Sequence, residues 1–256
     1  MSLKIHVNKI LNGFGFEIKR KSKGLYPVEF SERDIEIINY IKKNRLTMVS
    51  VERLIATVKA CKYSIVSGIK GDFVECGVWR GGCSLAAKLT FEAYKSNKKV
   101  YLYDTFLGMT EPNIKDEHIR DKNYAFDQYS KSSRSNHNDW CYSSLDEVKN
   151  NFIKANVDLK GVKFVAGDVR KTLNNKNHLP KNICALRLDT DFYDSTKKEM
   201  EVLYPLLEKG GVLLIDDYGT WKGSKLAIDE YFENNSIIKP LLNYTDYSGR
   251  SGIKSF

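Results

Sequence analysis

Apolar and polar positions along the chain repeat with two periods, and the switching between them predicts short strands alternating with helices. Ser31-Glu32-Arg33-Asp34 reads as a helix start, with a serine cap and acids in the first turn, and Ile35, Ile38 and Ile41 give that helix an apolar face. A second helix is predicted over Val49–Val66, with Leu54, Ile55 and Val58 in phase. Phe73-Val74 opens a strand, and from Ser84 onward Leu85, Ala86, Leu89 and Phe91 are spaced as in a helix. The strand Val100–Tyr103, a helix over Ser144–Phe152, and strands at Val162–Ala166 and Cys184–Leu188 follow. Met200, Leu203, Leu206 and Leu207 predict a helix that Gly210-Gly211 ends, and Val212–Ile215 is the strand after it. A helix over Lys225–Phe232 and one or two edge strands in the last twenty or so residues complete the order. Crossover helices between strands make the strands parallel, which is the pattern of an α/β sheet covered on both faces.

Two stretches fall outside this pattern. Residues 1–45 read as a helical arm, with a short helix near Ile5–Leu11 ahead of Gly13 and Gly15, and are expected to supply a contact between subunits. The segment 108–142 lacks periodicity but carries Tyr124, Phe126, Tyr129, Trp140 and Tyr142, as expected of a lid or substrate loop inserted into a domain spanning 46–256. Its histidines, His118 and His137, are expected at the surface.

Acids stand where the strands end. Asp189 and Asp191 follow one strand and Asp216-Asp217 the next, and ligands of an open parallel sheet bind at those carboxyl ends. Each pair alone could be a turn or a helix cap. Four carboxylates gathered together repel one another unless a cation sits among them, and a hard divalent ion such as Mg²⁺ takes oxygen ligands. Earlier in the chain Glu75 ends a strand, Gly77, Gly81 and Gly82 form a tight turn, and Ser84 begins the next helix. Such glycines let the backbone approach a nucleotide-like ligand closely. The spacing is not GxGxxG, and an acid directly before the turn would repel a pyrophosphate but not the sulfonium and ammonium groups of S-adenosylmethionine. Asp104, at the end of the following strand, is placed to accept ribose hydroxyls, and Asp168, after Gly167, to meet the adenine amino group.

Composition narrows the classes. The 256 residues are 42% hydrophobic, enough for a sizeable core, and no apolar run approaches the roughly 18 residues of a membrane span. No signal-peptide core opens the chain, so a cytoplasmic location is expected. Cys61, Cys76, Cys83, Cys141 and Cys184 form no CxxC pair and are expected to be free thiols. The net charge of +9 is scattered without an aromatic-interleaved basic stripe, which argues against nucleic acid and, on its sign, favours a phosphate-bearing acceptor.

With these residues assembled, the chain resembles the TylF-type macrocin O-methyltransferases, which are Mg²⁺- and S-adenosylmethionine-dependent enzymes acting on sugar hydroxyls. The resemblance covers about Thr47–Phe232 and is carried by GDFVECGVWRGG from Gly71, DTFLGM from Asp104, LRLDTDFYDST from Leu186 and DDYGTW from Asp216. It departs from the family pattern at Thr190, where glycine is usual, and at Asp168, where tryptophan is usual. The resemblance implies a class I methyltransferase (Rossmann-like) fold with a seven-stranded, mostly parallel sheet, and a homodimer. It also implies that Asp189, Asp216 and Asp217 hold the metal, that Asp191 is the general base, and that Glu75, Gly77, Ser84 and Asp104 line the cofactor site. The expected substrate is a sugar or nucleotide-sugar, as in polysaccharide or natural-product biosynthesis. A metal-dependent glycosyltransferase using Asp189-Thr190-Asp191 as a DxD pattern is the rival enzyme, and an aromatic-looped sugar-binding module the rival without catalysis.

Overall fold

In the computed structural model, which describes residues 26–255, seven strands form one sheet in the order β3-β2-β1-β4-β5-β7-β6. The strands are β1 (Asp72–Cys76), β2 (Val100–Asp104), β3 (Val162–Ala166), β4 (Ile183–Leu188), β5 (Leu207–Ile215), β6 (Asn243–Tyr244) and β7 (Arg250–Ile253). β1 to β5 pair in parallel. β7 runs antiparallel to β5, and β6 antiparallel to β7, as the edge strands expected in the tail. The α/β architecture and mostly parallel sheet read from the periodicity are therefore those of the molecule. From β1 the chain first builds outward through β2 and β3, then returns to add β4 and β5 on the other side. This reversal opens a crevice at the carboxyl ends of β1 and β4.

The helices are α1 (Glu32–Lys43), α2 (Val51–Val66), α3 (Gly82–Ala93), α4 (Ala125–Ser132), α5 (Leu145–Lys154), α6 (Val169–Thr172), α7 (Tyr193–Leu203) and α8 (Lys222–Asn234). Ser50 caps α2 by accepting from the Arg53 N–H at 3.1 Å, and Ser144 caps α5 by accepting from Glu147 N–H at 3.2 Å. α1 buries Ile37, Ile38 and Ile41 and places Asp34, itself buried, 2.6 Å from Lys62 of α2. Contacts group everything from Glu32 onward into one unit, so α1, assigned to the arm in the sequence, packs with the sheet's own helices. The helix expected near Ile5–Leu11 and the rest of the arm up to residue 25 lie outside the described residues.

β4 has all six residues buried, as an apolar central strand must. Val74, Leu186 and Leu213 of three neighbouring strands pack with Met200 and Leu203 of α7 and Ile228 of α8. Side chains of this size contribute roughly 1.5–3 kcal/mol each when fully buried.

One boundary differs from the periodicity. α7 stops at Leu203, a single 3-10 turn spans Tyr204–Leu206, and β5 begins at Leu207 and runs through Gly210-Gly211. Pro205 has no N–H to continue the helical hydrogen bonds, so the chain leaves α7 through one 3-10 turn, with Tyr204 still at φ −61° and ψ −37°. The glycines do not end a helix. They lie where β5 meets the chain end, with Gly210 N–H donating to Lys254 O at 2.7 Å and Lys254 N–H to Gly211 O at 2.9 Å. All five cysteines are free thiols, four buried and Cys141 half-buried.

Candidate active site

The ends of β1, β2, β4 and β5 open into one cleft of about 880 Å³. Glu75, Asp104, Asp189, Asp191, Asp216 and Asp217 all line it, so the strand-end acids dispersed along the sequence converge in space.

The turn after β1 is shaped by two contacts. Gly77 sits at φ +79°, where its N–H donates to Tyr103 O at 2.8 Å, and a Cβ there would lie 2.0 Å from Asp189 O. Only glycine permits that conformation and that approach of the β1 loop to the β4 loop. Asp104 clips the same turn. Its Oδ2 accepts from Val78 N–H at 2.7 Å and Trp79 N–H at 3.2 Å, and its Oδ1 from Phe106 N–H at 2.8 Å. Gly77, Glu75 and Asp104 therefore stand at the cleft. Gly81 and Ser84 stand behind it: Gly81 begins α3 against Val148, and the buried Ser84 hydroxyl donates to Glu75. Asp168, expected at the adenine, instead caps α6 and pairs with Arg170 at 2.6 Å, while its neighbours Gly167 and Val169 face the cleft. Its side chain finds a local guanidinium two residues on and is turned toward it.

Below the acids lies a guanidinium. Arg187 is 2% exposed and donates to Glu75 Oε1 at 3.0 Å, to Asp189 and to Asp216. A second one, Arg53 of α2, pairs with Asp216 and places its Nε 2.9 Å from Asp246. Asp246 is fixed in turn by the Ser50 hydroxyl at 2.6 Å and by the N–H groups of Ser248 at 2.9 Å and Gly249 at 2.7 Å. Both oxygens of Asp216, expected to face a metal, thus face arginines. Asp189, Asp191 and Asp217 remain, each with one oxygen inside a 4.8 Å group. Asp217 Oδ2 is buried with no hydrogen-bond partner. An orphaned carboxylate oxygen beside two more carboxylates is a donor set that fits a hard divalent cation.

The protonation of these groups follows from burial. Burial pushes Glu75 up to about 7, against the pull of Arg187 and of the Ser84 hydroxyl. Burial first, and then the neighbouring acids Asp189, Asp216 and Asp116, push Asp191 up to about 7. Asp189 and Asp217 are raised well above the carboxylate range by burial first, with Asp216 adding to both, Asp217 to Asp189 and Asp191 to Asp217. A cation among them would reverse this, since nearby positive charge favours the ionised form.

The segment expected as a lid forms a wall. Ile119 N–H donates to Thr220 O at 2.8 Å, Lys222 N–H to Glu117 O at 3.0 Å, and Tyr193 N–H to Asp116 Oδ1 at 2.8 Å, so its backbone is tied to the start of α8 and the Asp116 side chain to the start of α7. Trp140, Phe192 and Trp221 cluster edge to face or tilted, with ring centroids 5.7–6.0 Å apart. Trp140 and Trp221 also line the cleft. His118, expected at the surface, lines it too, stacked edge-on to Trp221 at 5.3 Å with its Nδ1 3.1 Å from an Asp121 oxygen.

Sequence reasoning missed Arg53, Trp221 and Tyr247 in the cleft lining and Arg187 beneath it. An arginine inside an otherwise apolar strand was the available signal for Arg187, because a buried cation needs acids around it. Nothing local in α2 or in the tail distinguishes Arg53 or Tyr247.

Comparison with known proteins agrees with this geometry. The profile of the family described as Macrocin-O-methyltransferase (TylF) matches residues 28–250. The 8-demethyl-8-(2,3-dimethoxy-alpha-L-rhamnosyl)-tetracenomycin-C 4'-O-methyltransferase of Streptomyces olivaceus is 30% identical over 196 residues, covering 76% of this chain and 70% of that one. Demethyldecarbamoylnovobiocin O-methyltransferase of Streptomyces niveus is 30% identical over 201 residues, covering 78% and 72%. Among solved structures, the O-methyltransferase NovP superposes with a TM-score of 0.72 at 27% identity, covering 88% of this chain and 90% of that one.

Proposed function

This chain belongs to the macrocin O-methyltransferase family and is an S-adenosylmethionine-dependent O-methyltransferase, and from that premise we propose that it methylates a sugar hydroxyl with the help of Mg²⁺. The observation that carries the metal half of the proposal is the group Asp189, Asp191 and Asp217 with its orphaned Asp217 oxygen. The sugar half is supported by the relative named for a rhamnosyl substrate and by the Trp140 and Trp221 rings beside the acids.

S-adenosylmethionine brings a methyl group already activated on a sulfonium, so the chain's task is to place and deprotonate a weak nucleophile. Glu75, Gly77 and Asp104 would hold the donor: the Gly77 turn gives close backbone approach, and the carboxylates suit its cationic end and ribose hydroxyls. Asp189 and Asp217 would hold the cation. The resemblance adds Asp216, which here is tied to Arg53 and Arg187. A bound divalent ion there would lower the pKa of a coordinated acceptor hydroxyl. Asp191, in the same acidic group, would accept the proton from that hydroxyl. Trp140 and Trp221 would cover the sugar's apolar face and exclude water from the transfer.

The net charge of +9 does not collect in the cleft, where Asp121 and Asp127 join the strand-end acids and Arg53 and Lys131 are the basic lining residues besides His118. The acceptor part nearest the acids is therefore proposed to be an uncharged sugar ring, with any nucleotide or polysaccharide carrier lying further out. A homodimer acting in the cytoplasm completes the proposal. Family membership sets aside the glycosyltransferase and the sugar-binding module.

The test is calorimetric titration of the protein with S-adenosylhomocysteine, with and without Mg²⁺, followed by methyl-transfer assays over a panel of glycosides and nucleotide sugars with and without chelator. Cofactor binding with chelator-sensitive methylation of a sugar is expected. Cofactor binding with chelator-insensitive turnover would remove the metal from the proposal. Asp191→Asn is expected to keep cofactor binding and lose most turnover, and normal turnover would remove Asp191 as the base.

A further inference from the structure

The loop Asp189-Thr190-Asp191 carries two of the carboxylates on which the proposed site depends, and its middle residue is tied to a buried acid behind it. Asp189 is anchored through its N–H to Cys76 O at 2.8 Å. Asp191 takes a left-handed backbone, φ +67°, a region that non-glycine residues visit uncommonly, although aspartate does so more readily than most. Between them Thr190 is pinned at both its carbonyl, which also accepts from the Ser195 hydroxyl at 3.4 Å, and its side chain. Its carbonyl accepts from Phe192 N–H at 2.7 Å, and its hydroxyl donates to Glu199 Oε1 at 2.8 Å.

Glu199 lies on α7, behind the loop, with 0% exposure. The Thr190 hydroxyl is the hydrogen-bond partner of its carboxyl group among the described residues, and its second oxygen, Oε2, is buried with none. A core position between Thr196 and Met200 would be filled at less cost by an apolar side chain, because a buried carboxyl loses its hydration. Its contact with the loop is what the buried carboxyl adds to packing. Thr190 itself lines the cleft, so the bond connects helix α7 directly to the cleft wall.

We propose that Glu199, acting through the Thr190 hydroxyl, is a positioning residue that sets the Asp189 and Asp191 carboxylates for the cation and the acceptor hydroxyl. The inference rests on the assignment of those carboxylates to the reaction centre. Without the bond, the threonine side chain is free to leave α7, and the left-handed turn at Asp191 loses one of the restraints beside it. Outer-shell groups of this kind orient the groups that touch the ion, and removing one lowers ion affinity or activity by about 10–100-fold.

The experiment compares Thr190→Val, which has nearly the same shape but no hydroxyl, with Thr190→Ser, which keeps the hydroxyl, and with Glu199→Leu and Glu199→Gln. Three quantities are read on the intact protein: Mg²⁺ binding by calorimetry without donor or acceptor, S-adenosylhomocysteine affinity, and kcat with KM. Thr190→Val is expected to weaken Mg²⁺ binding and lower kcat by about 10–100-fold while S-adenosylhomocysteine affinity stays at its original value. Thr190→Ser and Glu199→Gln, which keep a donor and an acceptor, are expected to restore most of both. The double variant Thr190→Val with Glu199→Leu is expected to be no worse than the weaker single one, because both remove one bond. Unchanged Mg²⁺ binding and kcat in Thr190→Val would overturn the proposal, and so would additive losses in the double variant. Absence of Mg²⁺ binding in the unsubstituted protein would overturn the cation assignment and the inference with it, a result distinguishable because every variant would then match the parent.

Discussion

Arg187 donates to Glu75 Oε1 at 3.0 Å, a side-chain bond between β4 and β1 directly beneath the cleft. Register pairs the same two residues along the backbone, so the strands are joined twice at this point. The guanidinium also reaches Asp189 and Asp216, and it is the buried positive charge that lets several carboxylates share the end of the sheet. Arg187→Met fits the space but leaves those acids without a counter-charge. The expected loss of stability is about 3–5 kcal/mol at neutral pH, the usual result of breaking a buried pair from one side. Urea denaturation checks it, and the deficit is expected to shrink as pH falls and the acids take up protons.

Gly77 allows the two catalytic loops to touch. A methyl group there would collide with Asp189 O, and at φ +79° the backbone is strained for any other residue. Gly77→Ala is expected to lose about 1–3 kcal/mol of stability from backbone strain alone. It should also lose S-adenosylhomocysteine and Mg²⁺ binding together, because it moves the loop that carries both sites. Calorimetry at a temperature where the variant remains folded separates the two effects; loss of one ligand with the other retained would show that the loops are not coupled through this contact.

Trp140 lies in the wall facing the acids and packs against Phe192 and Trp221. Trp140→Leu keeps apolar bulk while removing the ring face offered to a sugar. The acceptor KM is expected to rise about 3- to 10-fold, the equivalent of roughly 0.5–1.5 kcal/mol of ring contact. S-adenosylhomocysteine affinity should not change, since Glu75, Gly77 and Asp104 are on the other elements of the cleft. Steady-state kinetics with donor and acceptor varied in turn makes the measurement.

Burial pushes Glu199 up to about 8, with the Thr190 hydroxyl opposing the rise, whereas an unfolded glutamate titrates near the ordinary value of 4.5. Between those values the folded protein holds a proton that the unfolded chain gives up. The protonated carboxyl therefore contributes stability that is complete below about pH 4.5 and is lost as pH rises through about 8. Glu199→Gln mimics the protonated form at every pH. Denaturant titrations of both proteins are expected to show the glutamine variant gaining on the parent by roughly 1–3 kcal/mol from pH 5 to pH 8.5, with other groups cancelling in the difference.

Local pattern along the chain determined most of the architecture. Strand identity, helix faces and the acids at strand ends all depend on neighbours within a few residues, and they are present where the local pattern placed them. The motif residues were legible for the same reason: a glycine turn after a strand and carboxylates after two others are short-range arrangements. The end of α7 was misread because apolar spacing at Leu206 and Leu207 suits a helix as well as a strand, and Pro205 with the pairing of Leu207 to Ile183 decided between them. What only the tertiary structure decided is which acids face one another and which face a cation of the chain itself. Asp216 and Asp217 are adjacent in sequence, yet Asp216 turns to Arg53 and Arg187 while Asp217 joins Asp189 and Asp191. Successive side chains leaving a strand diverge, and their partners come from α2, β4 and the tail, separated by long stretches of chain. Charge pairing across such distances is set by packing, and so it becomes readable once the strands are side by side.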